Sequence, residues 1–430
     1  MDIALPIVGF VVMLLAGIPV AWSMAIAGTL GIFLVTGSLA VVGGALETIP
    51  FGEGTNFSLI TIPLFVLLAF LVQNARLSDD LFGAFAAWFG RLPGGLAVSS
   101  VFSGAVFGAM SGTSVASATV MSKMAVPAMD ARGYSRALST GAVAAGSTLS
   151  TLIPPSVVLI VYGISTETSI GRLLMAGVVP GILIALALAV IIMVAVLLRP
   201  AIAPRTPVTT WTEKGRSLTA VIPVAALIAV LLTFLYTGIT SPTEIAAVGA
   251  LLALVLGVVM RRLSWAGFVD SVTQTLKVTV MIFALFIGAG LFGQFLTLAR
   301  IPQDVVRWVD SMGLGPIGVL LLVALIYIIG CMVVDEMPFM LLTLPVTFPL
   351  MIQAGFDPVW YGVFSVMLLN IGLIAPPIGI VTFIVAGITK TKLIVAYKGA
   401  ALMLIGIVLA IVLVVVFPDL VLWLPEQMQK

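Results

Sequence analysis

Two stretches carry residues whose type and spacing could bind a small ion: Ser150-Thr-Leu-Ile-Pro-Pro-Ser156 and Asn370-Ile-Gly-Leu-Ile-Ala-Pro-Pro-Ile-Gly379. Proline lacks an N–H and clashes with the carbonyl four residues earlier, so each first proline frees a main-chain oxygen one turn upstream. The second proline of each pair prevents the helix from resuming at once. Freed carbonyls are hard oxygen ligands suited to Na⁺, and the N-terminus of the half-helix that follows favours an anion. The pairs Pro154-Pro155 and Pro376-Pro377 lie 222 residues apart (376 − 154), and other landmarks share the offset. Pro127 and Met129 fall on Pro349 and Met351, Gly133-Tyr134 falls on Gly355-Phe356, and Ser156 meets Ile378. Two broken helices at matching places in two halves mark a secondary transporter's binding site.

Ser111-Gly112-Thr113-Ser114 could be the tip of a re-entrant hairpin whose hydroxyls hold an ion or a substrate carboxylate. Close helix packing through small residues is the other reading. Adding 222 to Thr113 and Ser114 lands on Asp335 and Glu336, adjacent acids in a long apolar run. Acids embedded in a membrane are costly and are usually functional or paired. Asp335 could give an anionic ligand to a cation site or hold a hairpin's shape; a helix cap or a salt bridge to Lys123 would be structural. Thr113, Ser114, Ser156 and Asn370 are the polar side chains that could face a substrate. Glu244, in Ser241-Pro-Thr-Glu, reads instead as a helix cap.

The chain has no histidine and one cysteine, Cys331. That excludes Ser-His-Asp and Cys-His catalysis, a His-based zinc site and an internal disulfide. Ser-Lys or paired-carboxylate chemistry stays formally open, but no catalytic set can be assembled, and neither an enzyme nor an organic cofactor is expected.

These motifs need a membrane to hold them. Of 430 residues 61% are apolar and 8% charged, with mean hydropathy +1.29; soluble domains carry about 25% charged residues. At about 20 residues per span the chain fills roughly 11 to 13 membrane-embedded segments, so its solvent is the lipid bilayer. The net charge of +2 gives no sign of nucleic acid. Met1-Asp2-Ile3 lacks a basic n-region, so the first apolar stretch is expected to be retained.

Along the chain, Ile3 to Thr36 reads as two helices broken at Gly17 and Pro19, and Ser58 to Val72 as a span. Ala97 to Met129 holds the first hairpin, Leu138 to Ile164 the first broken helix, and Leu173 to Leu198 a long span. Then comes a polar linker from Arg199 to Ser217 with four basic residues and one acid. Spans follow over Val221–Tyr236, Ile245–Met260 and Val278–Leu298, then a hairpin over Ile317–Met351, the second broken helix over Trp360–Ile388 and a last span over Ala400–Phe417. The domain expectation is a first half over 1–198, a basic cytoplasmic linker over 199–217 and a second half over 218–430. Two spans should return the chain from the linker to Arg261-Arg262 on one face, the cytoplasmic one by the positive-inside rule. Arg132 and Arg136 in the loop after the first hairpin have no basic counterpart in 349–358, which favours an inverted over a parallel repeat.

At these residues the chain resembles the large membrane subunit (DctM type) of a tripartite ATP-independent periplasmic (TRAP) transporter. The matching stretches are Phe107-Gly-Ala-Met-Ser-Gly-Thr-Ser-Val-Ala116, Gly133-Tyr-Ser-Arg-Ala137, Leu152-Ile-Pro-Pro-Ser156, Ser169-Ile-Gly171 with Ala176-Gly-Val-Val-Pro-Gly181, Pro242-Thr-Glu244, and Gly355-Phe-Asp-Pro358 leading to Asn370 through Gly379. The resemblance implies an all-α polytopic membrane protein with inverted structural repeats, two re-entrant hairpins and two broken helices, working as an elevator-type transporter. It implies Na⁺-driven import of an organic anion such as a C4-dicarboxylate, sialic acid or another sugar acid across the bacterial or archaeal cytoplasmic (inner) membrane. The implied partners are a small four-helix membrane subunit (DctQ type) and a periplasmic substrate-binding protein (DctP type). Carried over by motif position, one sodium site would use Ser111 with carbonyls of Ser150, Ile153 and Pro155. Its mate would use Asp335 with carbonyls of Gly372, Ala375 and Pro377. The family often has glycine at positions 147 and 150 and usually threonine at 375, where this chain has Ser147, Ser150 and Ala375. The alternative within transport is a stand-alone Na⁺-coupled dicarboxylate carrier without a binding protein.

Overall fold

The computed structural model describes residues 3–76, 79–204 and 210–428, with the side chains at 79, 80, 111 and 220 also outside the description. Its elements are helices. The first half holds α1 (Ala4–Leu15), α2 (Val20–Thr36), α3 (Leu39–Thr55), α4 (Thr61–Asn74), α5 (Asp79–Phe89), α6 (Gly95–Ser111), α7 (Ser114–Asp130), α8 (Arg136–Thr148), α9 (Val157–Ser165) and α10 (Ile170–Leu198). The second holds α11 (Trp211–Thr237), α12 (Pro242–Val259), α13 (Trp265–Leu298), α14 (Ile301–Ser311), α15 (Pro316–Cys331), α16 (Glu336–Gln353), α17 (Pro358–Ile374), α18 (Ile380–Ile388), α19 (Leu393–Val416) and α20 (Asp419–Gln427).

Helix starts fall where a side-chain oxygen can take an orphan N–H. Thr113 caps α7, Ser135 caps α8, Ser156 caps α9 and Ser169 caps α10. Ser241 and Glu244 form a reciprocal capping box at α12, as the sequence suggests. Gly112 ends α6 in the left-handed region at φ +65°, where a glycine bears no Cβ penalty. It leaves two residues between α6 and α7, which makes a tight hairpin.

The 222-residue offset recurs in several helix starts. Helices starting at 20, 79, 114 and 136 are matched by helices starting at 242, 301, 336 and 358. Those starting at 95, 157 and 170 are matched at 316, 380 and 393, one residue off the same spacing. Among the described residues six single helices are long and apolar enough to cross a membrane, the bent helix α11 makes a seventh when taken as one span, and α1, α2, α6, α15 and α17 are shorter apolar helices. The protein is therefore a multi-pass membrane protein.

Two packed groups emerge. One is built on α2 against α13 and on α4 against α12 and α13. There α2 and α13 approach so closely that a Cβ on Gly28 would stand 2.5 Å from the Leu291 carbonyl carbon. The other group gathers both hairpins and both broken helices with α10 and α19. Within it, a Cβ on Gly399 of α19 would lie 1.8 Å from the Ala137 carbonyl oxygen on α8.

Several expectations need correction. The helix expected from Val278 begins at Trp265, because Ser264 caps it there. The last residues of the expected linker are helical, α11 starting at Trp211 behind a capping box of Thr210 and Glu213; residues 205–209 of that linker lie outside the described residues. The sequence reading assigned nothing to α3, α5, α14 or α20, whose short mixed sequences give no sustained apolar run.

Candidate functional site

The first broken helix runs from α8 through a short 3-10 turn over Leu149–Thr151 to the Pro154-Pro155 peptide, which is cis, and resumes as α9. Pro154 has no N–H to give the Ser150 carbonyl, and the Thr151 carbonyl, which faces Pro155, instead accepts from the Ser156 hydroxyl. In the second copy α17 stops at Ile374 and α18 resumes at Ile380 around the cis Pro376-Pro377 peptide. Pro376 likewise leaves the Gly372 carbonyl without its helical donor. Here the Thr382 hydroxyl donates to the Ile374 carbonyl at 3.0 Å. The copies thus use different hydroxyls: Ser156 is replaced by Ile378, and Thr382 takes the place of Ile160.

The two broken rods lie antiparallel. The Arg136 guanidinium at the start of α8 donates to the Thr389 carbonyl just past the end of α18, at 3.1 Å. The Tyr162 hydroxyl in α9 donates to the Pro358 carbonyl at the start of α17, at 2.7 Å. The first end is also the linker's end, because the Ser135 N–H donates to the Ile202 carbonyl at 2.8 Å.

Between the rods the hairpin tips meet. The Ser114 hydroxyl, wholly buried, donates to the Glu336 carboxylate, with oxygens 3.1 and 3.3 Å away. The Ser150 hydroxyl donates to the Ser114 oxygen at 3.3 Å and to the Ser147 carbonyl at 2.8 Å. One residue on, the Thr151 hydroxyl donates to the Asn370 side-chain oxygen at 2.7 Å. A polar chain therefore joins hairpin to hairpin and broken helix to broken helix in an otherwise apolar interior. Such a chain rigidifies a site when it is satisfied, and unmet members invite a ligand. At these hairpin tips and breaks, Asp335 Oδ1, Asn370 Nδ2 and the Ser147 hydroxyl are buried without a partner.

Of the sodium-site candidates, Ser150, Ile153 and Pro155 gather at the first break, while the Ser111 side chain lies outside the described residues. Asp335, Gly372, Ala375 and Pro377 gather where the second hairpin meets the second break. A Cβ on Gly372 would stand 3.0 Å from the Met332 amide nitrogen, and the Gly379 N–H donates to the Met332 carbonyl at 3.3 Å. The Pro377 carbonyl already accepts from the Tyr397 hydroxyl at 2.8 Å, leaving one lone pair. Asp335 stands at the N-cap position of α16 but its side chain makes no cap hydrogen bond there, and among the described residues no ion pair joins it to Lys123. Of the substrate candidates, Thr113 and Ser156 are engaged as helix caps, and Ser114 and Asn370 belong to the polar chain. Glu336, left out of the candidate set, is the more deeply buried of the two acids at 3% exposure. Its signal was present in the register that carries Ser114 onto it.

The breaks differ in surroundings. Pro154 and Pro155 pack against Phe65, Leu231 and Ile245 of α4, α11 and α12. Pro376, Pro377 and Ile378 are exposed.

A family model described as tripartite ATP-independent periplasmic transporter, DctM component, matches residues 7–420. The chain is 32% identical over 380 residues to the C4-dicarboxylate TRAP transporter large permease protein of Pseudomonas aeruginosa, covering 87% of this chain and 88% of the relative. It is 31% identical to the ectoine TRAP transporter large permease protein of Halomonas elongata, with 96% of each covered, and 28% identical to the sialic acid one of Vibrio cholerae, with 98% and 97% covered. Among solved structures, the YdaH transporter of Alcanivorax borkumensis shares the fold with a TM-score of 0.63 at 16% identity, covering 91% of this chain and 90% of that one.

Proposed function

The chain belongs to the DctM component family of tripartite ATP-independent periplasmic transporters, and from that premise we propose that it uses a sodium gradient to import an organic acid by elevator-type alternating access. It acts as the large permease subunit in the cytoplasmic membrane, with a small membrane subunit and a periplasmic binding protein as partners. The large permeases it is similar to are named for C4-dicarboxylates, ectoine and sialic acid, so the substrate class is a small carboxylate-bearing solute.

The observation that carries this reading is the meeting of two hairpin tips between two proline-broken helices. The Ser150 and Gly372 carbonyls, deprived of helical donors, and the unpartnered Asp335 oxygen are hard oxygen ligands of the kind sodium takes. The antiparallel rods support an inverted repeat, and the packed first break beside an exposed second break supports a carrier open on one side.

Uptake of labelled organic acids into proteoliposomes tests the reading, with the permease reconstituted alone and then with both partners. Uptake by the full set only, and only with an inward sodium gradient, is the expected result. Sodium-driven uptake by the single chain would move the assignment to a stand-alone carrier, and uptake indifferent to sodium would overturn the coupling.

A further inference from the structure

On the end of the molecule opposite the linker, a cleft of about 640 Å³ opens between the α9–α10 corner and the α11–α12 turn. That volume suits a small-molecule site. Arg172, in the first turn of α10, and Thr240, just before α12, both line it. The Arg172 Nε and the Thr240 hydroxyl are buried and neither has a hydrogen-bond partner. No carboxylate pairs with Arg172 among the described residues, although Glu167 stands on the same wall. Two buried unpaired donors on residues that line one cleft are expensive unless an acceptor reaches them.

We propose that this cleft is an entry site for a small organic carboxylate, held by the Arg172 guanidinium and the Thr240 hydroxyl before transfer to the hairpin tips. A carboxylate only accepts hydrogen bonds and matches the guanidinium fork. The N-terminal end of the 29-residue α10 adds favourable potential at the same place. The inference rests on the proposed direction of import, since this end faces away from the basic linker and so towards the side from which substrate comes.

Gly171 lines the cleft next to Arg172, and a Cβ built there meets nothing within 4 Å, so Gly171→Cys places a reporter without a clash. Cys331, the chain's single native cysteine, is buried. The rate at which an anionic methanethiosulfonate labels Gly171→Cys is measured in the complex with the small subunit, with and without acetate, succinate or gluconate at constant ionic strength. At least one acid should slow labelling roughly tenfold, the scale of a charge-assisted contact, and Arg172→Gln in the same background should abolish the protection. Protection by none of the acids, or protection that survives Arg172→Gln, would overturn the site. Sodium-driven uptake by the unmodified tripartite set, run in parallel, reads the transport proposal separately: uptake without protection sinks the entry site alone.

Discussion

Ser114 and Glu336, separated by the 222 residues that relate the two halves, touch each other at 3.1 Å. On the inverted-repeat reading, equivalent residues meet in this way only near the axis that relates the copies. A buried carboxylate held by the hydroxyl of one serine depends strongly on that donor. Ser114→Ala should cost about 1–3 kcal/mol, the penalty for an unmet buried acceptor, and Glu336→Leu a similar amount by stranding Ser114. Glu336→Gln keeps an acceptor and should cost less. Thermal melts of the detergent-solubilised variants and the double mutant would show coupling above about 0.5 kcal/mol if the contact is real; strict additivity would deny it.

The second prediction concerns the close crossing of α8 and α19. A Cβ on Gly399 would sit 1.8 Å from a backbone oxygen, which no rotamer change relieves. Gly399→Ala should therefore lower stability by about 1–3 kcal/mol or more, the range for overpacking a tight interior. Gly387→Ala is the matched control, since a Cβ there meets nothing within 4 Å. Equal melting temperatures for the two variants would contradict the crossing.

A third prediction comes from the start of α11. The Lys214 ammonium lies 5.4 Å from the Trp88 ring centre and 5.0 Å from that of Trp211, and its residue is 7% exposed. The sandwich ties α11 to α5. Lys214→Gln should cost about 0.5–2 kcal/mol, while Lys214→Arg should be tolerated, read as the midpoint of thermal unfolding.

If sodium is the coupling ion as proposed, its main-chain and side-chain ligands should respond differently to substitution. Ser150→Gly keeps the carbonyl that Pro154 leaves without a donor, so apparent sodium affinity should change little. Asp335→Asn removes the charge from a buried oxygen that has no partner and should weaken sodium roughly tenfold or more. Ser111→Ala should lower affinity as well, with membrane insertion intact in each case. Sodium titrations of uptake decide it, and unchanged dependence in both Asp335→Asn and Ser111→Ala would remove these residues from the ion sites.

Much of this was legible in the chain because proline and glycine act locally. Pro154-Pro155 and Pro376-Pro377 break helices whatever surrounds them, and Gly112 followed by Thr113 writes the hairpin tip as a C-cap and an N-cap. The 222-residue register makes Ser114 and Glu336 equivalent, but that they touch depends on the fold. What was not legible depends on three-dimensional neighbours. Nothing near Ile378 announces that Thr382 takes over the carbonyl-capping role of Ser156, because the donor reaches across a break. Helices such as α3 (Leu39–Thr55) carry glycine and proline through the helix and two acids, so neither periodicity nor hydropathy flags them.

The last prediction follows from the unequal breaks. Ile378 is 40% exposed, whereas its equivalent Ser156 is wholly buried, and the exposed break belongs to the rod whose far end reaches the linker's side. If the chain alternates as proposed, these two environments must exchange as the broken helices move relative to α4, α11 and α12. In this conformation, Ile378→Cys should react with a membrane-impermeant thiol reagent applied from the linker's side, and Ser156→Cys should not; the buried Cys331 adds little background. Under conditions that drive turnover, Ile378→Cys should become protected in a fraction of molecules. If Ser156→Cys disturbs the cap of α9, Val157→Cys, at 2% exposure, replaces it as the buried probe. Reactivity at Ile378→Cys that is indifferent to sodium and substrate together would mean that the exposed break is a fixed feature of the surface, and alternating access through these helices would have to be abandoned.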